Sequence, residues 1–221
     1  MGGNGFSYRI VRGEPEEVIS KLADLIMELA DESVGSKGIF KCALAGGSTP
    51  APLYRLLSAR FVHWENTIFF PTDERFVPLD DPRSNYRMIR ENLGESARIR
   101  RINTELTPET ACEDFANSLS DFGALDFALL GIGEDGHTAS LFPGKDCRKC
   151  GESACITEGP DGLLRISMSY TALVGAKIIA FLVLGEKKEQ ALRRVIKGDL
   201  TLPAARIRGR KQTFIFTDLP L

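Results

Sequence analysis

The sequence predicts an α/β fold with a largely parallel, doubly wound sheet and helices on both faces. Three observations predict it. Apolar stretches of strand length alternate with stretches of helical periodicity along almost the whole chain. Glycine-rich turns directly follow several of those apolar stretches, at the strand ends where open α/β sheets bind ligands. No low-complexity linker or internal repeat divides the 221 residues, so the chain reads as one domain over 1–221.

Taken in order, residues 7–11 read as a short strand, and 14–34 carry helical periodicity through Val18, Leu22, Leu25, Ile26 and Leu29. Residues 39–45 form an apolar strand that Gly46-Gly47-Ser48-Thr49 turns into a helix over about 50–59. A strand at 67–72 leads to a polar loop at 78–83, after which Ser84 caps a helix reaching Leu93. Thr107-Pro108-Glu109 sets a cap before a proline at the first helical position and opens a helix to about Leu119. A strand at 125–131 follows. Residues 144–162 hold the longest irregular stretch, a cysteine-bearing loop with the character of a flap. Strands at 163–169 and 178–184, a helix at 187–196 and a strand at 213–217 complete the chain.

Composition narrows the function classes. Apolar and charged fractions of 43% and 26% are those of an ordinary globular protein and exclude disorder and coiled coil. A formal charge of −2 gives no global attraction to nucleic acid or an anionic membrane, so a phosphorylated ligand must be held by a local cluster of cations. No apolar run reaches the length of a membrane span, and Phe6 stands where a myristoylation signal needs Ser or Thr. These features predict a cytoplasmic protein and leave its oligomeric state open. Cys42 and Cys112 read as small packing residues. Cys147, Cys150 and Cys155 cluster, but a zinc knuckle needs a fourth ligand and none follows. Free thiols in a surface loop are the expectation, with a disulfide from Cys147 to Cys150 or Cys155 as the alternative that a reducing cytosol disfavours.

The chemistry concentrates after the strand at 125–131. Gly133-Glu134-Asp135-Gly136-His137-Thr138 puts an acid and one of only two histidines on a glycine-rich turn. Imidazole is the side chain best suited to proton transfer near neutrality. Gly131-x-Gly133-x-x-Gly136 also matches the dinucleotide fingerprint, but that motif needs a long following helix, and Pro143-Gly144 ends any helix within two turns. A tight turn with a solvated His137 and a catalytic site remain, and the other motifs favour the site. The Gly46-Gly47-Ser48-Thr49 turn offers close backbone approach and free N–H groups to an anion, ahead of a plain helix cap. Asp73 and Arg75 end their strand at the same sheet edge, either as a solvated strand end or facing the crevice. There one would orient hydroxyls or a base while the other held a phosphate by its planar fork. Lys188 at a helix start invites an anion, and Arg165 inside a strand needs a partner. His63 beside Trp64 reads as packing.

Ala43-Leu-Ala-Gly-Gly-Ser-Thr-Pro50, Thr72-Asp-Glu-Arg75 with Val77-Pro78, Ser84-Asn85-Tyr86 and the run from Gly131 through His137 to Leu141-Phe142-Pro143 resemble the successive motifs of the 6-phosphogluconolactonase family. Gly185-Glu-Lys-Lys188 and Leu202-Pro203-Ala204 fit as well, so the likeness spans the chain in order, except for the cysteine loop. The related glucosamine-6-phosphate deaminases share the fold. They continue the Asp-Gly-His core with Asn-Glu-Pro and carry Asp-Glu-Tyr where this chain has Asp73-Glu74-Arg75, and both differences favour the lactonase.

The resemblance implies a Rossmann-like fold and hydrolysis of 6-phospho-D-glucono-1,5-lactone, a sugar-phosphate lactone, without metal or cofactor. It places His137 as the base on water, with Asp73 or Asp135 orienting the ring. Backbone N–H groups of Gly46 and Gly47, or of Gly133 and Gly136 in the 131–136 turn, meet the oxyanion. Arg75 and Lys188, with Arg165 or Arg208, hold the phosphate; Lys188 is preferred to Lys187. The rivals are an amino-sugar phosphate deaminase and a non-catalytic sugar-phosphate sensor.

Overall fold

The computed structural model describes residues 8–221, so Ser7, the expected start of the first strand, lies outside the described residues. β1 (Arg9–Arg12) leads into α1 (Pro15–Lys37). Proline at its first turn and Gly38 at φ 76°, whose N–H reaches the Val34 carbonyl, define the ends of this helix. Then come β2 (Phe40–Leu44), α2 (Ala51–Arg60), β3 (Thr67–Pro71), β4 (Asp73–Arg75), α3 (Asn85–Leu93) and α4 (Pro108–Phe122). The two caps read from sequence are made: Ser84 Oγ accepts from the Arg87 N–H, and the Thr107 hydroxyl from that of Thr110. β5 (Phe127–Leu130), β6 (Arg148–Lys149), β7 (Ala154–Glu158) and β8 (Leu164–Met168) follow. α5 (Tyr170–Val174), β9 (Ile178–Val183), a 3-10 turn at Glu186–Lys188, α6 (Glu189–Ile196) and β10 (Gln212–Thr217) close the chain.

Six strands form a parallel sheet in the order β1-β10-β9-β5-β2-β3. From β2 the chain moves outward to β3, whereas β5, β9 and β10 add on the other side of β2. The order therefore reverses between β2 and β5, and the turns leaving their carboxyl ends splay apart into a crevice. Alternation along the strands divides the core. Ala43, Ala128, Leu130, Phe181 and Ile215 face one way, against Phe115 of α4 and Leu192 of α6. Phe40, Cys42, Phe127, Leu129 and Phe216 face the other, against Leu22 and Ile26 of α1, Leu53 of α2 and Ile89 of α3. Burial of each such large side chain contributes roughly 1.5–3 kcal/mol. Both faces are covered, as expected of a sheet of near-continuous apolar strands.

A second sheet was not foreseen. β4-β8-β7-β6 is antiparallel, so the strand expected at 163–169 joins this sheet and not the parallel one. The expected irregular stretch at 144–162 contains β6 and β7. These strands are short, and their identity comes from cross-strand pairing, which no local pattern records. The expectation of free thiols is also corrected. Cys147 pairs with Cys155 and Cys112 with Cys150, their Cα atoms 5.4 and 5.8 Å apart. Cys112 lies on α4, 38 residues before its partner, so its role as more than packing is set by the docking of α4 on the small sheet. Cys42 is free and buried, as read.

Candidate active site

A cleft of about 550 Å³ opens at the carboxyl ends of the parallel strands, and three segments wall it. The first is the turn after β5. Its shape depends on glycine at two places: Gly136 adopts φ 84°, and a Cβ on Gly133 would lie 2.1 Å from His137 Nδ1. That closeness lets Asp135 fold back on His137. Its Oδ1 lies 2.6 Å from the ring Nδ1 and 3.1 Å from the His137 backbone nitrogen. Burial raises the Asp135 carboxyl, but hydrogen bonds from His137 outweigh it and hold the acid below its ordinary range. An ionised Asp135 fixes the proton on Nδ1 and leaves Nε2 as the open ring nitrogen. With 34% of the side chain exposed, the imidazole can reach a ligand. Its other face packs on Phe142, 4.9 Å between ring centres.

Asp73 does not orient His137. It is buried and bound to Ser140, whose hydroxyl donates to Asp73 Oδ2 at 2.5 Å. Ser140 gets there through a tight turn in which Thr138 and Leu141 bridge and Ala139 takes φ 47°, the one non-glycine left-handed residue among those described. Such backbone strain is characteristic of functional sites.

The second wall is the small sheet. Register sets Asp73 opposite Ser167 and Arg75 opposite Arg165. Directly opposed residues in an antiparallel pair share a face, so register puts two arginines on one face of the small sheet, where an anion can join them. Behind them, Glu74 is buried and accepts from the N–H groups of Arg75, Asn85 and Tyr86 and from the Ser84 hydroxyl. Burial nevertheless pushes its carboxyl up. This knot ties β4 to the start of α3 and fixes where Asp73 and Arg75 point. Asn85 adds to it, donating to the Asp73 carbonyl at 2.9 Å while its amide fills the space a Cβ on Gly46 would need.

The third wall is the Gly46-Gly47-Ser48-Thr49 turn with Lys188. The hydroxyls of Ser48 and Thr49 make no cap to α2, and Thr49 Oγ1 instead accepts from Lys188 Nζ at 3.4 Å. Burial lowers the Lys188 ammonium, against Glu134 and Asp218 nearby. Lys187 is exposed and outside the cleft lining. The N–H groups of Gly133 and Gly136 are spent within their own turn, bonding the His137 and Gly133 carbonyls at 2.9 Å each. Those of Gly46 and Gly47 bond no carbonyl among the described residues.

Of the residues singled out in the sequence, Gly136 shapes its turn without lining the cleft, and Arg208 and His63 lie elsewhere. Arg208 stacks over Tyr8, 4.1 Å from the ring centre, and does not line the cleft. His63 bonds Asp31 on the outer surface. Sequence reasoning gave no role to Glu74, Asn85 or Ser140. The one signal was the helix start at Ser84-Asn85, since their contacts reach distant turns. Buried polar atoms without a partner collect at the cleft: among the described residues there are eight, and Arg75 Nε, Asn85 Oδ1, Thr138 Oγ1 and Arg165 Nε belong to its lining. Unpaired buried groups are rare, so their concentration marks the place where structure yields to function. No three metal-ligating side chains converge among the described residues.

Comparison with known proteins bears on family and fold. A family model described as glucosamine-6-phosphate isomerases/6-phosphogluconolactonase matches residues 13–216. The 6-phosphogluconolactonase of Thermotoga maritima is 33% identical over 219 residues, covering 95% of this chain and 96% of that protein. That of Haemophilus influenzae is 35% identical over 184 residues, covering 76% and 79%. The crystal structure of the Thermotoga maritima protein superposes with a TM-score of 0.86 at 30% identity, covering 96% of this chain and 99% of that one. The chain therefore belongs to the glucosamine-6-phosphate isomerase/6-phosphogluconolactonase family.

Proposed function

We propose that this protein hydrolyses 6-phospho-D-glucono-1,5-lactone to 6-phosphogluconate in the oxidative pentose phosphate pathway, the activity named for its relatives. The observation that carries the reading is a single cleft with a carboxylate-held imidazole on one wall and two opposed arginines on another.

An activated ester needs a positioned water, a base and a stabilised oxyanion. His137 Nε2 takes a proton from water as its oxygen attacks C1. Asp135 stabilises the imidazolium that forms. Charge builds on the former carbonyl oxygen, and the free N–H groups of Gly46 and Gly47 receive it. Collapse breaks the bond from C1 to the ring oxygen, which recovers the proton from His137, and the new carboxylic acid ionises in water. Arg75, Arg165 and Lys188 hold the 6-phosphate and so set which end of the sugar meets the base. Asp73, fixed by Ser140, accepts from sugar hydroxyls.

The test is lactone opening by the purified protein above the spontaneous rate, with chelator present and with unphosphorylated gluconolactone as the comparison. Acceleration confined to the phosphorylated lactone supports the reading. No acceleration, or ammonia release from glucosamine 6-phosphate in its place, overturns it. Action in the cytoplasm is part of the proposal. Among the described residues no helix is long and apolar enough to cross a membrane. Paired cysteines inside cells are the habit of hyperthermophile proteins, and thiol titration of protein taken directly from cells checks the pairing.

A further inference from the structure

Arg165 is the best-enclosed cation in the cleft, its side chain 10% exposed, and it is not empty-handed. Its Nη2 lies 2.6 Å from Asp161 Oδ2, and its buried Nε has no partner. Asp161 belongs to the turn between β7 and β8, beside Pro160, which lines the cleft, and its own side chain is 46% exposed. The turn does not rest on that ion pair alone, and Asp161 Oδ1 also accepts from the Leu163 N–H at 3.3 Å, a bond an asparagine can keep. The turn is closed by backbone bonds from Gly159 N–H to the Leu163 carbonyl at 2.9 Å and from Gly162 N–H to the Gly159 carbonyl at 3.1 Å. The absence of a side chain on Gly159 leaves the space that Arg165 Nε and Asp161 Oδ1 border, where a Cβ would come within 2.4 and 2.5 Å of them.

We propose that Asp161 is a resident counter-ion: it occupies the anion seat of Arg165 in the unliganded protein and is displaced by the phosphate of the ligand. The inference rests on the phosphate-binding role given to Arg165 above. The fork of an arginine takes a carboxylate or a phosphate in the same geometry, so the two compete for one place. A carboxylate carries one charge and a sugar phosphate nearly two, and Arg75 stands opposite Arg165 to share the larger charge. Asp161 thereby weakens the hold on every phosphorylated ligand, product included, and favours release after turnover.

The experiment is calorimetric titration of 6-phosphogluconate and of unphosphorylated gluconate into wild type, Asp161→Asn and Arg165→Met. Loss of one partly exposed competing charge is expected to tighten 6-phosphogluconate about two- to five-fold in Asp161→Asn, less at high salt, with gluconate binding unchanged. In the Asp161→Asn, Arg165→Met double variant that gain vanishes. Unchanged or weaker 6-phosphogluconate binding in Asp161→Asn overturns the proposal and makes Asp161 a support for Arg165. Should Arg165→Met keep its full preference for 6-phosphogluconate over gluconate, the phosphate role of Arg165 fails, whatever Asp161 does. Loss of that preference with no gain from Asp161→Asn sinks the counter-ion alone.

Discussion

The two working walls of the cleft are built on different principles. The His137 wall is local: Asp135 and His137 lie two residues apart on one turn, and their contact needs only the room that Gly133 leaves. The Arg75–Arg165 wall is assembled from segments ninety positions apart and exists because β4 and β8 pair in one register. A slip of one residue in β4 would turn Arg75 to the other face, away from Arg165. On the proposed mechanism, chemistry that demands a fixed proton path falls to the wall with the fewest moving parts. Recognition of a charged tail, which tolerates adjustment, is then the proposed task of the wall that a hairpin and two disulfides hold in place.

This contrast predicts which substitutions change turnover and which change affinity. The largest effect belongs to His137→Ala: kcat should fall by about 10²–10⁴, as for loss of a general base, with 6-phosphogluconate binding retained in calorimetry. Gly133→Ala should come next. Its Cβ would fall 2.2 Å from His137 Cε1, so the ring must move, and a loss of roughly 10–10² in kcat is expected from misplacing the base. Normal kcat in that variant would show that the ring tolerates a different seat.

Much of the first wall was legible in the sequence. A strand, a glycine turn, an acid and a histidine in succession are local features, and the turn after β2 announced itself in the same way. The choice between Asp73 and Asp135 as the partner of the ring was not legible, because it depends on Ser140 reaching back to claim Asp73. The small sheet was hidden for a related reason. β4 is three residues of charge, Asp73–Arg75, which in sequence resembles a solvated strand end. Arg208 carried the charge a phosphate needs, but its chain position delivers it to Tyr8. Cys112 gave no local sign of its partner 38 residues on.

The second wall yields smaller and more selective effects. Arg165→Met should raise KM for the phosphorylated lactone at least about ten-fold, the usual worth of a charged hydrogen bond, and leave the unphosphorylated lactone unaffected. Equal effects on both lactones would remove Arg165 from phosphate recognition. Reduction of the two disulfides should cost roughly 2–4 kcal/mol of stability for each bridge, read as a lower melting temperature, and should loosen phosphate binding before it touches kcat. A kcat that collapses on reduction while KM holds would show that the small sheet serves the His137 wall instead.

The mildest expectation concerns pH. Burial places the Lys188 pKa below the ordinary 10.5. Affinity for 6-phosphogluconate should therefore decline as pH rises through that lowered value, before a solvated lysine would lose its proton. The sign for stability is opposite. Folding penalises the charged form, so this group adds stability as pH climbs from the lowered value toward 10.5. Lys188→Met should flatten both trends.

The division of labour itself is tested most directly by comparing the specificity ratio in two variants. The kcat/KM for phosphorylated over unphosphorylated lactone is measured in wild type, His137→Ala and Arg165→Met. His137→Ala should depress both substrates alike and keep the ratio, whereas Arg165→Met should collapse the ratio with the unphosphorylated rate intact. A ratio that changes in His137→Ala, or survives in Arg165→Met, would contradict two walls with separate tasks.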